Sequence, residues 1–527
     1  RRAHVVTTLR GLALRSQAPV RAVLTAHEGR FGEVRVLWGV NGIALDATPD
    51  LIERLAAVSG VRRVLFDREV RFEEAIDVDL ERWWAESAPW PGRGDGPFPI
   101  HDGNGDGPTG GDASGPNPTA EVAGEVVAMG AQRVWEELGY TGDGVIVAVV
   151  DDGVDRDHPD IADHIWTNLD EIPDNGLDDD ANGFVDDTWG WDFCQGDNNP
   201  NGGSHGTQCA GQVAGDGTNG TVTGMAPDAE IMALAIGCGG PSTWWEASDY
   251  AIENGAHLIT QSWSLKWPSQ PDYEAFRRQT DTELAAGVIH INSSGNTGQS
   301  SDPVPYNVAT PGNSPSPWMH PDQTVGGGLS SVVGTANISY GSDSIAVSSP
   351  YGPSAWEDIQ ANTDPGYPHT IAPDYLDYPF ENGGSLGLLK PDLAAYGDGT
   401  VSICPGTGYC GFSGTSSATP HIAGVVALMV SSNLQAPPDV LTEALLTTAE
   451  PRGVPGKNTR YGAGLVQAYE AVVAVESGVV YDAHTIDDAD QGNADAVADP
   501  GETVTMPVTV RNNRDDVTYD GIEAVLS

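Results

Sequence analysis

The chain has 527 residues, 39% of them hydrophobic, enough for a sizeable core and about three domains. Its formal net charge is −50, from 75 acidic against 25 basic residues, and only Lys266, Lys390 and Lys457 are lysines. Such an anionic surface repels nucleic acid and anionic membranes, which makes both poor partners and argues against nucleic acid, and no apolar run, GVIVAVV (144–150) included, is long enough to span a bilayer. The acidity suits calcium, cationic peptides or a salty medium; it equally serves plain solubility. RRAHVVTTLRGLAL at the start has neither an initiator methionine nor a signal-peptide core, so the sequence is read as beginning after a removed targeting segment. Of the five cysteines, Cys404 and Cys410 bracket PGTGY, a loop short enough for a disulfide. An odd count leaves at least one thiol free or paired outside the chain, and disulfides imply an oxidising compartment.

Residues 1–87 read as a small α+β domain. VRAVLTAHEG (20–29) and EVRVLWGV (33–40) are predicted strands, Thr48–Pro49–Asp50 opens a helix, and VRRVLFDREV (61–70) is a further predicted strand. Residues 88–119 form a Gly/Pro/Asp-rich linker, in which Asp102, Asn104 and Asp106 have a calcium-like spacing. From 120 to 476 strands alternate with helices: GVIVAVV, EIMALAI, STWWEASDYAIENGA, HLITQSW, DYEAFRRQTDTELAAG and VIHINSSG. That order predicts an α/β fold, a parallel sheet with helices on both faces. Residues 477–527, with the alternating ETVTMPVTVRN, read as the start of a β-sandwich-like domain that the sequence leaves incomplete. Asn493, Asp495 and Asp499 add a weaker acidic cluster there.

The chemistry gathers at four places. GVIVAVV runs into Asp151–Asp152–Gly153, and the carboxyl ends of parallel strands are where sites form; helix capping is the competing use. In SHGTQCAG, glycines flank His205, so the backbone can approach a reacting group. In VIHINSSGNTG, Asn296 lies in a tight turn where its amide can donate to an oxyanion or simply accept left-handed geometry. GTSSATPHIAG (414–424) puts small hydroxyl residues before the buried run VVALMV, either for close packing or for a nucleophile at a helix start. A serine hydroxyl needs a base and the base an orienting acid. Asp151, His205 and Ser416 occur in one of the three known chain orders of Asp–His–Ser hydrolases. His421 lies five residues past Ser416, its ring projecting away, and is read as structural. In the insertion between Asp151 and His205, Asp178, Asp180, Asn182 and Gly183 spell D-x-D-x-N-G, the opening of a calcium loop, with Trp189 where a complete EF-hand has glutamate.

VVDDGVDRDHPDI, HGTQCAG, SSGN and GTSSATPHIAG resemble the four signature blocks of the subtilisin family of serine proteases, and KPDLAA and YGAGLVQA resemble two further landmarks, over roughly residues 125–475. The resemblance implies a subtilisin-like sheet and a secreted enzyme acting on protein or peptide substrates. In it Asp151 orients His205, His205 takes the Ser416 proton, and Asn296 and the Ser416 N–H hold the oxyanion. Ser262, Trp263 and Ser264 would pair substrate backbone by strand addition, and Ser293, Ser294 and Gly295 would line the adjoining side-chain pocket. Most relatives carry glycine where Ser264 stands. The 178–187 loop resembles the short calcium loops of secreted subtilases, which implies a structural calcium on Asp178, Asp180, Asn182, the Phe184 carbonyl and Asp186 or Asp187; Asp160 also matches a family calcium ligand. Asp152, Cys209 and Trp263 resemble the kexin-like branch, which cuts after basic pairs, but Leu265, Lys266 and Trp267 replace that branch's acids, which favours broad specificity. Cys209 matches the thiol-containing members and is the candidate free thiol, with Cys194 and Cys238 the candidate second pair. LWGVNGIALDATPDLIERLAA resembles the family's propeptide, which implies an intramolecular inhibitor on a monomeric precursor. The competing readings are a dibasic convertase and a non-catalytic binding module of the same fold.

Overall fold

The computed structural model describes residues 1–68, 70, 115–266, 269, 271–298, 304, 306–319, 329–354, 388–476, 479–484 and 508–512. Most of the linker with Asp102, Asn104 and Asp106, together with Trp267, Asn493, Asp495, Asp499 and the first half of ETVTMPVTVRN, lies outside the described residues. The chain divides into two compact units, Arg1–Ala474 and Val475–Ser527.

The first unit opens with α1 (Arg2–Ser16), α2 (Ala18–Thr25), the antiparallel hairpin β1 (Phe31–Leu37) and β2 (Gly42–Ala47), and α3 (Pro49–Ala56). VRAVLTAHEG is therefore helical, not a strand. Pro19 in the first turn starts the helix, and Val20, Val23 and Leu24 are spaced to one face, packing on Leu51, Leu55, Phe31 and Leu45. VRRVLFDREV is likewise not a strand over its described residues. No sheet edge receives it, and Phe66 is 91% exposed. Charges fasten it instead: Arg62 and Arg63 pair with Glu274, and Arg63 also with Asp272.

The main sheet is built from β3 (Ile146–Asp151), β4 (Gly190–Asp192), β5 (Glu230–Ala235), β6 (Leu258–Gln261), β7 (Ile289–Ser293), β8 (Val332–Ser339), β9 (Ser344–Ile345) and β10 (Leu393–Asp398). Its order is β9-β8-β7-β6-β3-β5-β4, with β10 also on β8; β9 alone runs antiparallel. Near-continuous apolar strands such as IVAVVD suit a sheet covered on both faces. Ala148 and Val150 point into a cluster with Trp244, Tyr250, Trp263 and Phe276, beneath α5 (Pro241–Glu253) and α6 (Tyr273–Ala286). Val147 and Val149 are buried outside that cluster, as strand alternation requires. α4 (Ser204–Ala214) and α7 (Thr415–Ser432) pack together on the sheet; every α7 residue except Ser431 is buried. Between β10 and α7 lies the hairpin β11 (Thr400–Cys404) and β12 (Gly408–Phe412), closed by the Cys404–Cys410 disulfide. α8 (Pro438–Thr448) and α9 (Ala468–Val475) follow. Lys390 and Lys457, two of the three lysines, are buried on the single carboxylate of Asp392. Burial lowers the Lys390 pKa to about 8 against the pull of Asp392.

Within the second unit, β13 (Val479–His484) and β14 (Val508–Asn512) pair antiparallel.

Candidate active site

Strand register brings the site together. Val150 pairs with Gln261 and Gln261 with Asn292, so β3, β6 and β7 end side by side and release Asp151, the 262–264 segment and the 293–296 turn at one edge. The Asn292 amide donates to the carbonyls of Gln261 and Trp263, at 3.0 and 3.1 Å, and stiffens the middle segment from within. Leu265 and Thr310 form an antiparallel bridge beyond it.

α7 enters from the other side. Its N-cap, Gly414, has φ +102°, and a Cβ there would meet the Asn296 side chain at 2.9 Å, so the position admits only glycine. Asn296 Oδ1 accepts from Thr415 N at 2.8 Å and from Thr415 Oγ1 at 3.1 Å, which sets the side chain with Nδ2 as its donor end. The single Thr415 hydroxyl proton is shared between that Oδ1 and the Gly295 carbonyl, the latter at 2.8 Å. Pro420 cannot supply the N–H that the Ser416 carbonyl would take one turn on. The Ser262 hydroxyl donates its O–H to that carbonyl instead, at 2.9 Å. Ser416 Oγ itself is buried and makes no hydrogen bond among the described residues.

Asp151 and His205 meet at 2.8 Å, Oδ1 to Nδ1. The same oxygen accepts from Asp152 N at 2.9 Å and from Trp263 Nε1 at 3.1 Å. A ring nitrogen facing a carboxylate carries the proton, which makes Nε2 the basic atom. Phe412 stands edge-on to the imidazole, centroids 5.3 Å apart. Burial alone would lower the His205 pKa; the charge and hydrogen bond of Asp151, with the charge of Asp152, outweigh it and leave it raised. Cys209 Sγ lies 3.5 Å from Asp151 Oδ2, 3.4 Å from Ser262 Oγ and 3.9 Å from the Ser416 carbonyl. Burial and then the Asp151 charge push its thiol well up, so it stays protonated. Cys209 is the one free cysteine; Cys194–Cys238 is the second disulfide. His421 Nδ1 is held by the Tyr396 carbonyl, and burial lowers its pKa to about 4.

Ser262, Trp263, Ser264, Ser293 and Ser294 are all buried. The Cβ position of Gly295 faces Ala309 at 3.3 Å and Ser264 Oγ at 3.8 Å, so these three sit against one another. Ser294 instead turns toward Gly334 on β8. Ala309 escapes a sequence reading because the turn holding it is fastened from afar, by its N–H on the Ser294 carbonyl.

The N-terminal segment reaches residues 237–242, which follow β5 and adjoin Asp152 through Gly237. Val70 N donates to the Gly239 carbonyl at 2.8 Å, and Asp67 caps the first turn of α5 at Ser242, with Arg35 bridging Ser242 and Glu246. The Cys194–Cys238 disulfide ties this segment to the end of β4.

In the acidic insertion, Glu171, Asp178 and Asp180 bring oxygens within 4.8 Å of one another. Glu171 lies outside the expected ligand set. It is 5% exposed, and its Oε2 is buried without a donor among the described residues. Three converging carboxylates with an unpaired oxygen fit a hard divalent cation such as calcium. Asn182 braces the loop, its amide on Asp180 and Asp187 and its Oδ1 on Phe184 N. Asp187 accepts from Tyr250 OH at 2.5 Å, and burial raises its pKa to about 6. Asp186 turns away to cap Asn175 and Gly176. The Phe184 ring packs on Trp191, Phe193 and Tyr250. Asp160 is engaged by Tyr409 OH and Asn219 N, at 2.6 Å each, and joins no metal-ligating cluster among the described residues.

Comparison with known proteins gives a match of residues 142–464 to the Subtilase family. The chain is 27% identical to thermitase of Thermoactinomyces vulgaris, over 65% of this chain and 92% of that one. It is 26% identical to bacillopeptidase F of Bacillus subtilis (strain 168), over 91% of this chain but only 29% of the relative. It is 34% identical to minor extracellular protease Vpr of the same organism, over 35% of this chain and 21% of that protein. The chain thus spans about a third or less of the length of the two larger relatives. No described helix is long and apolar enough to cross a membrane. The family match covers more than half of the chain and contains all four signature blocks, so the chain belongs to the subtilase family of serine proteases.

Proposed function

We propose that this chain is a secreted serine endopeptidase, made as a precursor, that hydrolyses protein substrates through Asp151, His205 and Ser416. The observation that carries the reading is the Asp151–His205 contact at 2.8 Å, beside a serine whose carbonyl is braced by Ser262. His205 Nε2 takes the proton as Ser416 Oγ attacks the peptide carbon, and the same proton passes to the leaving amine. Asn296 Nδ2 and the Ser416 N–H, at the positive end of α7, receive the oxyanion.

Around this centre, the contact of Val70 with Gly239, in the segment whose Gly237 adjoins Asp152, supports residues 1–70 as an intramolecular inhibitor. Leu265 and Lys266 after Trp263, in place of acids, support broad specificity over a dibasic preference. Two disulfides, and a relative named as extracellular, support secretion. Glu171, Asp178 and Asp180 would hold a structural calcium that supplies only rigidity to the loop. The test is Ser416→Ala in the activated enzyme. Casein hydrolysis should fall by roughly 10⁶-fold; hydrolysis that persists refutes the assignment and favours a non-catalytic fold whose activity came from a contaminant.

A further inference from the structure

Asp152 has no task in the chemistry above, yet it touches the residue at its centre. α4 begins at Ser204 after Gly203, and no side chain of its own caps it. The first N–H groups of a helix need partners from elsewhere. Asp152 provides them from the end of β3: Oδ1 accepts from Gly206 N at 2.7 Å and Oδ2 from His205 N at 3.3 Å. These are the second and third helical residues, the N–H groups a cap normally satisfies. The fit is close, because a Cβ at Gly203 would collide with Oδ1 of Asp152 and one at Gly206 with the Gly153 carbonyl. Two adjacent acids on one strand end therefore grip one histidine, Asp151 by its ring and Asp152 by its backbone.

We propose that Asp152 is a positioning residue that fixes the direction in which the His205 ring leaves α4, and that its carboxylate is committed to this task instead of to a basic substrate side chain. The inference rests on the proteolytic reading of the site. The titratable groups facing Asp152 are Asp151 on its own strand end and His205 and Cys209 on α4; Gly237 and Gly203, from the flanking segments, bring no charge. Burial and then the Asp151 charge raise Asp152 to about 6, opposed by His205 and the two backbone hydrogen bonds. As pH falls, Asp152 gains a proton and loses an acceptor, while His205 gains its own proton and ceases to be a base. Two uptakes make the acid limb steeper than one proton alone.

The experiment compares wild type with Asp152→Asn and Asp152→Ala, measuring kcat and KM between pH 5 and 9 on peptides with an apolar or a basic residue next to the one cleaved after. Asn keeps one acceptor, so its kcat should fall about tenfold; Ala should lose about 100-fold, a cost typical of a slightly misplaced catalytic group. KM should stay within about twofold, and the acid limb of Asp152→Asn should flatten to one proton. Unchanged kcat and acid limb with only a lower Tm would overturn the proposal. So would a raised KM confined to the basic peptides, which would make Asp152 a substrate-binding acid. Should neither variant fold, a one-proton acid limb in the wild type overturns it and a steeper limb upholds it. Wild type without activity would instead sink the proteolytic reading, a separate outcome.

Discussion

Asn296 holds two jobs at its two ends. Its Oδ1 anchors Thr415 N at 2.8 Å, and its Nδ2 is the proposed oxyanion donor. Asn296→Ala should lower kcat by about 10²–10³-fold with KM little changed, since the donor acts only as charge develops. Asn296→Asp keeps the anchor and removes the donor, so it should lose as much activity with a smaller loss of Tm. If the two variants differ in activity instead, the anchor and not the donor is what catalysis needs. At this scale the residues of the candidate site are legible in the sequence, their catalytic roles being proposals. Asp151, His205, Asn296 and Ser416 each sit in a block of glycines and small residues, a composition that only close backbone approach explains. The Asp152 clamp and the Ser262–Ser416 hydrogen bond were not legible, because their partners lie 53 and 154 residues away and only sheet register brings them together.

Elements were read well where tertiary burial agreed with local pattern. IVAVVD, EIMALA and IHINS are buried strands, and YEAFRRQTDTELAA is a helix stopped by Gly287 in the left-handed region. The reading failed where two patterns compete over a few residues. In APVRAVLT the β-branched content argued for a strand, while the spacing of Val20, Val23 and Leu24 and the N-terminal proline decided for a helix. In the acidic insertion the D-x-D-x-N-G pattern named Asp178 and Asp180 but missed Glu171, which reaches them from outside the motif. If the loop holds calcium, chelation at low salt should lower Tm by several degrees. Glu171→Gln should lower it in calcium while shrinking the further drop on chelation; a melting curve indifferent to chelator would dismiss the site.

Across the whole molecule, charge is unevenly divided. Residues 1–70 carry eleven of the 25 basic residues and seven of the 75 acidic ones, so that stretch is +4 and the remainder −54. The contacts follow this division: Arg10 on Glu253, Arg35 on Glu246, Arg62 and Arg63 on Glu274. Most of these pairs are partly exposed, each worth little, but they share one interface and one response to salt. After cleavage between the two parts, residues 1–70 should co-elute with the body in gel filtration at low ionic strength and separate near 1 M salt. Retention in high salt would mean that apolar contacts, such as Trp38 and Leu37 in the shared core cluster, hold the parts together.

The same imbalance sets how finished molecules treat each other. Were the cationic residues 1–70 cleaved away as proposed, the remainder would be bodies of a single strong sign, and like-charged bodies are slow to collide in dilute buffer. Under the proposed proteolytic reading, such bodies would keep their own copies at arm's length until counter-ions crowd in, and autolysis should therefore be slowest at low ionic strength.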